Sequence, residues 1–178
     1  MRIIAGDWKG AKLFMAQNNR TRPTTDFLKE VMFSVLYDVE GLQVLDLYAG
    51  SGQLALEALS RGAAHATLVD ADEKATVAMW RNVDKLQCRE QASVHRKKAS
   101  SFLAACEQQY DLILLDPPYE RKQVNKTLAQ IMEHGRLAPG GRIVVEHSPR
   151  EPLEPGWHIT YQKQYGESML SIVTLEEA

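Results

Sequence analysis

From about residue 42 onward, short apolar runs alternate with amphipathic segments, and this alternation constrains the fold more than any other feature of the chain. Strands are predicted at residues 43–47, 66–70, 93–95, 111–115 and 142–146. Helices are predicted at about residues 53–60, 72–86, 101–107 and 123–134, and a turn at residues 139–141. Strands that alternate with helices build a parallel sheet covered by helices on both faces.

The end of the chain departs from this alternation. Residues 157–164 and 169–175 are both strand-like, and only residues 165–168 separate them. A connection this short cannot cross over to a parallel neighbour, so the last strand should run antiparallel. The sequence therefore predicts an α/β fold with a seven-stranded, mostly parallel sheet and an antiparallel last strand.

The beginning of the chain predicts a small extension. Residues 2–5 and 11–14 flank a turn with Gly6 and Gly10, which indicates a β-hairpin. A polar loop follows, and then Thr24 or Thr25 caps a helix with an apolar stripe. We expect residues 1–38 to form a hairpin and helix extension packed on a core of residues 39–178.

Composition limits the partners that the chain can have. The formal net charge of −2 argues against a uniformly basic nucleic-acid binder. Basic residues nevertheless outnumber acidic ones six to three in residues 1–36 and four to one in residues 89–98. These two clusters could form a phosphate-binding face or could be solvated loops.

Other classes of protein are not indicated. No run approaches the roughly 20 apolar residues of a membrane span, and the five histidines have no metal-ligand spacing. The two cysteines are far apart, which predicts reduced thiols in a cytoplasmic protein. With no heptad and no long apolar edge, we expect a monomer.

Asp116-Pro117-Pro118-Tyr119 follows an apolar run at residues 112–115. Proline lacks an N–H and fixes φ, so the strand must end here with Asp116 at its carboxyl end. Ligands bind at that end of the strands in open α/β sheets. A carboxylate, proline carbonyls and a flat ring could together hold a planar base by its exocyclic amine.

A glycine-rich loop, residues 46–52, joins the first strand to a helix. Gly50, Gly52 and Ala55 fit the loose G-x-G-x-x-A pattern of dinucleotide-binding proteins. Asp70, at the end of the second strand, has the spacing of a ribose-binding acid. A nicotinamide oxidoreductase is therefore one candidate.

Asp46 favours a different cofactor. A carboxylate just before the glycine turn would repel a pyrophosphate but would suit a cofactor with a cation. S-adenosyl-L-methionine carries a sulfonium and an ammonium, so we assign Asp46 to its methionine end and Asp70 to its ribose. The alternative is that the glycines are plain turn residues and that Asp46 caps the helix.

Five segments together resemble a known family. They are residues 1–6 with Lys9 and Gly10, residues 21–26 with Lys29, Glu30 and Phe33, residues 46–52, residues 56–63, and residues 116–119. In these segments the chain resembles the bacterial 16S ribosomal RNA guanine-N2 methyltransferases, the RsmD type. The resemblance implies a Rossmann-like class I methyltransferase fold that acts with S-adenosyl-L-methionine on 16S rRNA or a small-subunit assembly intermediate.

The resemblance also implies roles for individual residues. Cofactor contacts are expected from Thr24, Asp46, Tyr48, Ala49, Gly50, Gly52, Asp70, Ser100 and Asp116. Asp116 and the Pro117 carbonyl would hold the guanine amine while Tyr119 stacks on the base. RNA contacts are expected from Arg2, Lys9, Lys12, Arg20, Arg22 and Tyr119.

The chain departs from the family pattern at two places. Asp70 stands where the family often has glutamate, and its shorter side chain should still reach a ribose. Lys98 stands where many relatives carry an acid near the adenine, and lysine cannot accept a hydrogen bond. Ser100 or a backbone carbonyl would then contact the adenine.

Three alternatives to this function stay open. An adenine-N6 or cytosine-N4 methyltransferase acting on DNA or another RNA would use the same chemistry, because these two amines are exocyclic, as the guanine N2 is. A nicotinamide oxidoreductase and a non-catalytic RNA-binding module are the candidates from other classes.

Overall fold

The computed structural model describes residues 1–16, 24–118 and 122–176. Within these residues the chain forms the strands β1 Gln43–Leu47, β2 His65–Asp70, β3 Ala92–Arg96, β4 Tyr110–Leu115, β5 Leu137–His147, β6 Trp157–Tyr165 and β7 Ser168–Leu175. The α-helices of the same residues are α1 Asp26–Leu36, α2 Gln53–Ser60, α3 Glu73–Lys85, α4 Ala99–Ala105 and α5 Val124–His134. None of these helices is long and apolar enough to cross a bilayer.

The seven strands form one sheet in the order β3-β2-β1-β4-β5-β7-β6. Strands β1 to β5 pair in parallel. Strand β7 lies between β5 and β6 and is antiparallel to both. The predicted α/β sheet with a reversed last strand is therefore confirmed.

Two boundaries differ from the prediction. The fifth strand begins at Leu137, five residues before the predicted start at 142, so residues 139–141 lie within its bounds. They are unpaired with β4, because the pairing passes from Tyr110–Leu137 to Leu112–Arg142, and Gly140 there has φ +76°. Helix α4 begins at Ala99, two residues before the predicted start at 101.

The sheet is covered on both faces. One core cluster joins the N-terminal extension and helices α1, α2 and α3 to the sheet, with Phe33, Leu56 and Met79 among its buried residues. The other cluster packs α4 and α5 on the opposite face, with Leu103 and Leu128 among its buried residues. Packing on both faces of the sheet fixes the positions of the strand ends and of the side chains that they carry.

The first 16 residues form a short antiparallel ribbon. A β-bridge joins Arg2 to Lys12, and the Ile3 N–H donates to the Ala11 carbonyl at 2.9 Å. The predicted hairpin is therefore present, although it is too short to count as two strands. Thr25 caps α1 by accepting a hydrogen bond from the Leu28 N–H, so the second of the two predicted capping residues is the one used.

Glu57 in α2 attaches this ribbon to the core. Its carboxylate is fully buried and accepts hydrogen bonds from the Ile4 N–H at 2.8 Å and the Ala5 N–H at 3.2 Å. The fully buried Lys29 ammonium lies 3.7 Å from Glu57, and the Arg61 guanidinium lies 3.2 Å from it. We name Lys29, Glu57 and Arg61 the docking cluster.

Ser60, one turn beyond Glu57, holds the ribbon a second time. Its hydroxyl accepts a hydrogen bond from the Trp8 N–H at 3.0 Å and donates to the Ala5 carbonyl at 2.7 Å. Gly6, with φ +88°, approaches so closely that a Cβ there would lie 1.9 Å from the Ser60 carbonyl oxygen. The extension thus shares one core with α2, and the boundary at residue 38 stays a prediction.

Candidate active site

The parallel register brings several acids to one edge of the sheet. Asp46 in β1 pairs with Leu114 of β4, so Asp116 lies just beyond the same end of the sheet. Leu115 pairs with Val145, which places Glu146 of β5 next to Asp116. This is the carboxyl edge, where open α/β sheets bind their ligands.

Asp116 is half-buried, and its carboxylate and that of Glu146 both lie near the hydroxyl of Thr24. The Thr24 Oγ1 lies 3.1 Å from Asp116 Oδ2 and 3.4 Å from Glu146 Oε2. Thr24 and Glu146 are each only 7% exposed. Ser168, at the start of β7, donates to the other oxygen of Glu146 at 3.2 Å.

The pKa of Asp116 reflects these neighbours. Burial of the carboxyl group raises the pKa of Asp116 well above its ordinary value, and the negative charges of Glu146 and Asp46 raise it further. The hydrogen bond from Thr24 lowers it. In the part of the chain that the structure describes, no lysine or arginine lies within ion-pair distance of Asp116.

Asp46 is 1% exposed and accepts a hydrogen bond from the Ala55 N–H in the first turn of α2 at 3.1 Å. Asp46 thus bonds the first turn of α2, and its contact with the methionine end of a cofactor stays a prediction. Burial raises the pKa of Asp46 to about 8, the hydrogen bond from Ala55 opposes the rise, and the charge of Asp70 adds to it. A buried acid with so high a pKa would be stabilised as an anion by a cation placed beside it.

Asp70 ends β2 with both carboxylate oxygens engaged. Its Oδ2 accepts from the Gly50 N–H and its Oδ1 from the Asp72 N–H, each at 2.9 Å. Each oxygen keeps a further lone pair that can accept a ribose hydroxyl. Burial raises the pKa of Asp70, against these two hydrogen bonds.

Three N–H groups of the glycine loop are already bonded, two of them to β2 and one within the loop. The N–H groups of Ala49, Gly50 and Gly52 donate to the Val69 carbonyl, the Asp70 carboxylate and the Ala49 carbonyl respectively. A pyrophosphate cradle needs such N–H groups free. This arrangement disfavours the dinucleotide alternative and fits a cofactor that brings a cation.

The two glycines differ in their surroundings. A Cβ on Gly50 would meet nothing within 4 Å, so the space in front of it is open to a ligand. A Cβ on Gly52 would lie 2.6 Å from Leu68 Cδ2, so this glycine is required for packing α2 on the sheet. Of the predicted pair, Gly50 is the one placed for a close approach.

Gln53, at the start of α2, supplies a further acceptor beside the loop. Its Oε1 is the one buried side-chain polar atom without a hydrogen-bond partner among the described residues. An unpaired buried acceptor is unfavourable unless a ligand donor completes it. Together with Asp46 and Asp70, it makes a set of acceptors that fits the ammonium and hydroxyl groups of S-adenosylmethionine.

Two predicted cofactor residues occupy less central positions. Tyr48 has φ +60°, and its hydroxyl lies 2.9 Å from Thr127 Oγ1 in α5, so its side chain is engaged with that helix. Ser100 is exposed in the first turn of α4, after Lys98 at the N-cap. Their contacts to a cofactor stay predictions.

The predicted RNA contacts lie on the surface of the extension. Lys9 and Lys12 are exposed, while Arg2 forms an exposed ion pair with Asp26 at 3.2 Å. Arg20, Arg22 and Tyr119 lie outside the described residues. No cluster of potential metal ligands occurs in the described ranges.

Two features were missed by sequence analysis. Glu146 ends the apolar run at residues 142–146 as Asp116 follows the run at 112–115, and this parallel was the available signal. Phe14 is 37% exposed, with the Arg81 guanidinium 3.9 Å from its ring centroid and the Lys85 ammonium 5.5 Å from it. We name Phe14, Arg81 and Lys85 the cation–aromatic patch.

Asn82 fixes the position of this patch. Its side chain accepts from the Phe14 N–H at 2.7 Å and donates to the Phe14 carbonyl at 2.9 Å. The same amide donates to the Ser51 carbonyl of the glycine loop at 2.9 Å. The patch is therefore tied directly to the loop that borders the candidate active site.

Known proteins share this architecture. The chain matches the family model described as "Conserved hypothetical protein 95" over residues 1–174. "Ribosomal RNA small subunit methyltransferase D" from Escherichia coli is 36% identical over 171 residues, which cover 94% of this chain and 86% of that protein. The protein of the same name from Haemophilus influenzae is 34% identical over 172 residues, which cover 93% and 89%.

A solved structure agrees with these matches. "Putative methyltransferase yhhF" from Escherichia coli superposes with a TM-score of 0.89 at 34% identity, over 100% of this chain and 99% of that chain. The resemblance to the RsmD type that the motifs indicated is thereby confirmed. With a match along nearly its whole length, the chain belongs to the family described as Conserved hypothetical protein 95.

Proposed function

We propose that this protein transfers a methyl group from S-adenosyl-L-methionine to the exocyclic N2 of a guanine in 16S rRNA. The observation that carries the proposal is the placement of Asp116: it is half-exposed at the carboxyl edge of the sheet, with Asp46 near enough to raise its pKa. A nucleobase amine held by Asp116 would therefore lie beside the glycine loop. The names of the relatives from Escherichia coli and Haemophilus influenzae support the same activity.

Asp46 and Asp70, at the carboxyl edge of the sheet, would bind different parts of the cofactor. When bound, S-adenosylmethionine supplies a methyl group on a positively charged sulfur. Asp46 offers a buried negative charge to the methionine end, and Asp70 offers acceptors to ribose hydroxyls. Open space in front of Gly50 allows close approach of the backbone.

Asp116 and Pro117 act on the amine. The guanine N2 is a weak nucleophile because its lone pair is delocalised into the ring. Its two N–H donors would be held by the Asp116 carboxylate and the Pro117 carbonyl, which orients the lone pair toward the methyl at about 3–3.5 Å. Transfer makes the nitrogen cationic, and the anion of Asp116 stabilises that charge and accepts the departing proton.

The extension provides the surface for RNA. Lys9, Lys12 and the cation–aromatic patch present positive charge and an aromatic edge on the face that holds the extension. We propose that phosphates bind here, that Arg20 and Arg22 extend the same surface, and that Tyr119 stacks on the extruded base. Such stacking contributes about 1–3 kcal/mol.

The test is nucleoside mass spectrometry after methyl transfer. The purified protein, S-adenosylmethionine and 16S rRNA lacking the modification should give N2-methylguanosine. N6-methyladenosine or N4-methylcytidine as the product would instead establish the alternative substrate. The Asp116→Ala variant should lose transfer by about 10³-fold while S-adenosylmethionine still raises its melting temperature. An active Asp116→Ala variant would refute the mechanism.

A further inference from the structure

A group of aromatic side chains reaches the surface where the end of β6 meets the start of α1. Phe27, in the first turn of α1, is 63% exposed. Its ring centroid lies 6.1 Å from that of Tyr165, and the two ring planes make an angle of 69°, which is an edge-to-face contact. A single exposed apolar side chain is ordinary, but several rings at one place indicate a binding surface.

Strand β6 supplies the rest of this group. It is an edge strand, and the two-residue spacing of Tyr161, Lys163 and Tyr165 places them on one face of it. The hydroxyls of Tyr161 and Tyr165 lie 2.6 Å apart, and the Lys163 ammonium lies 5.3 Å from the centroid of the Tyr165 ring. We name Phe27, Tyr161, Lys163 and Tyr165 the β6 cluster.

The β6 cluster lies at the carboxyl edge of the sheet. Strand β6 is antiparallel to β7, and β7 is antiparallel to β5, so β6 ends at the same edge as the parallel strands. Tyr165 pairs with Ser168, and the Ser168 hydroxyl donates to Glu146 at 3.2 Å. The cluster is therefore joined through the β6–β7 turn to the surroundings of Asp116.

Phe27 is joined to the same place through α1. It follows Thr24 by three residues, and Thr24 Oγ1 lies 3.1 Å from Asp116 Oδ2. Three residues span at most about 11 Å, and successive nucleotides of a stacked strand rise by about 3.4 Å. A nucleotide bound at Phe27 is therefore only a few positions from a base held by Asp116.

We propose that the β6 cluster binds, by stacking, a nucleobase of the RNA strand that flanks the methylated guanine. The proposal rests on the proposed function, because the RNA must bring its target base to Asp116. The rings of Phe27 and Tyr165 form a corner in which a planar base stacks on one ring and meets the other with its edge. Stacking on aromatic side chains tolerates any base, so the cluster adds affinity without reading sequence.

The cluster is positioned before RNA arrives. The hydrogen bond between the hydroxyls of Tyr161 and Tyr165 restrains both rings, and both rings pack against the core cluster that contains α1. Ordering side chains on binding costs free energy, so rings that are already fixed give tighter binding. The hydroxyl that accepts this hydrogen bond also keeps its own proton for an acceptor on the ligand.

The charges around the cluster favour a base over a phosphate. Lys163 is exposed, but so are Glu30, one turn beyond Phe27, and Glu167, in the β6–β7 turn. The exposed charge here is therefore mixed in sign, whereas binding of phosphates depends on clustered cations. The lysines of the extension keep that role.

The first test measures binding of 16S rRNA that lacks the modification, at several salt concentrations. Phe27→Leu keeps an apolar side chain but removes the ring, so it should weaken the affinity about fivefold or more. The slope of log affinity against log salt should stay unchanged, because no phosphate contact is lost. Phe27→Tyr keeps a ring and should retain most of the affinity.

The matched control is Tyr37→Leu, which removes a 93% exposed ring at the other end of α1. Ten residues of helix place Tyr37 about 15 Å from Phe27, so this variant should bind RNA as the wild type does. Both side chains are exposed, so both leucine variants should keep the wild-type melting temperature. Unchanged affinity in Phe27→Leu, an equal loss in Tyr37→Leu, or a shallower salt slope in Phe27→Leu overturns the proposal.

The second test measures methyl transfer at several RNA concentrations. Phe27→Leu should raise KM for RNA more than it lowers kcat, because the ring is away from the reacting atoms. If the wild type methylates guanine and Phe27→Leu has the same KM and affinity, the proposed function stands and the stacking site is wrong. If the wild type binds RNA without methylating it, the proposed function fails, and the loss of affinity in Phe27→Leu still decides on the stacking site. A surface that docks a protein would leave binding of naked RNA unaffected, which also overturns the proposal.

Discussion

Two buried carboxylates, Glu57 within α2 and Asp46 bonded to the first turn of the same helix, have opposite surroundings. Glu57 is fully buried, but it has the ammonium of Lys29 and the guanidinium of Arg61 beside it. Asp46 is as deeply buried, and in the described parts of the chain no lysine or arginine lies within ion-pair distance of it.

The difference separates acids that build the fold from acids that await a ligand. An uncompensated buried charge is unfavourable, so a protein retains one mainly where ligand binding or catalysis requires it. The docking cluster contains its own cations and fixes the extension. Asp46 and Asp116 leave the positive charge to be supplied from outside, as S-adenosylmethionine would supply it.

The largest effect is expected from breaking the docking cluster. Glu57→Gln leaves the Lys29 ammonium buried without its counter-charge, which should lower the free energy of unfolding by about 3–5 kcal/mol. Urea denaturation measures the change. The double variant Lys29→Met with Glu57→Gln removes both charges and should regain most of the loss. Equal destabilisation in the single and double variants would contradict this interpretation.

Asp46→Asn is expected to raise the free energy of unfolding, whereas Glu57→Gln lowers it. The pKa of Asp46 is raised from 3.8 to about 8, so between these values the folded state binds more protons than the unfolded state. The free energy of unfolding of the wild type therefore falls as pH rises through this window. The cofactor-free Asn variant, which keeps an acceptor for the Ala55 N–H, should be more stable at pH 8 by on the order of 2 kcal/mol.

The measurement for Asp46→Asn is thermal unfolding of both proteins at pH 4 and pH 8. The two melting temperatures should nearly coincide at pH 4, where Asp46 is protonated in the folded wild type. The same variant should bind S-adenosylmethionine at least about tenfold more weakly. A variant that is less stable than the wild type at pH 8 would show that the ionised group is compensated after all.

A smaller effect is expected from the coupling of S-adenosylmethionine binding to the protonation of Asp46. A cation beside Asp46 lowers its pKa below about 8, so binding near pH 7 should release a proton. Affinity should then rise with pH up to about 8, by at most roughly tenfold per pH unit. Calorimetry in two buffers of different ionisation enthalpy measures the release, which Asp46→Asn should diminish. Undiminished release in that variant would assign the proton to another group.

The smallest effect is expected on the surface that the docking cluster holds in place. Lys12→Ala should weaken RNA binding modestly for all sequences and reduce the salt slope by about 1. Filter binding at several salt concentrations measures it. Lys126→Ala, an exposed lysine of α5 on the opposite face of the sheet, is the control. An equal loss in the two variants would mean that RNA binding does not distinguish the two faces.

Local chemistry made much of this predictable from the sequence. Two prolines after Asp116 require the strand to end there, and the cap of α1 follows from threonine chemistry. The four-residue link before β7 requires its reversal. These features depend on neighbours in sequence, so they can be recognised without the fold.

Features that depend on distant contacts could not be predicted in this way. Thr24 is separated from Asp116 by 92 positions and from Glu146 by 122. Only the docked position of α1 brings that hydroxyl between the two acids. The early start of β5 at Leu137 has a similar origin, because it depends on the pairing of Leu137 with Tyr110 of β4.

The contact of Gly6 with Ser60 has a consequence for how the protein is made. The ribbon leaves the ribosome before α2, because its hydrogen-bond partners there follow more than fifty positions behind it. At about 5–20 residues per second, the amino-terminal segment stays undocked for some seconds of translation. The positive charges of the ribbon are therefore exposed before the rest of the chain has folded around it. A nascent chain could then bind RNA before it is able to methylate it.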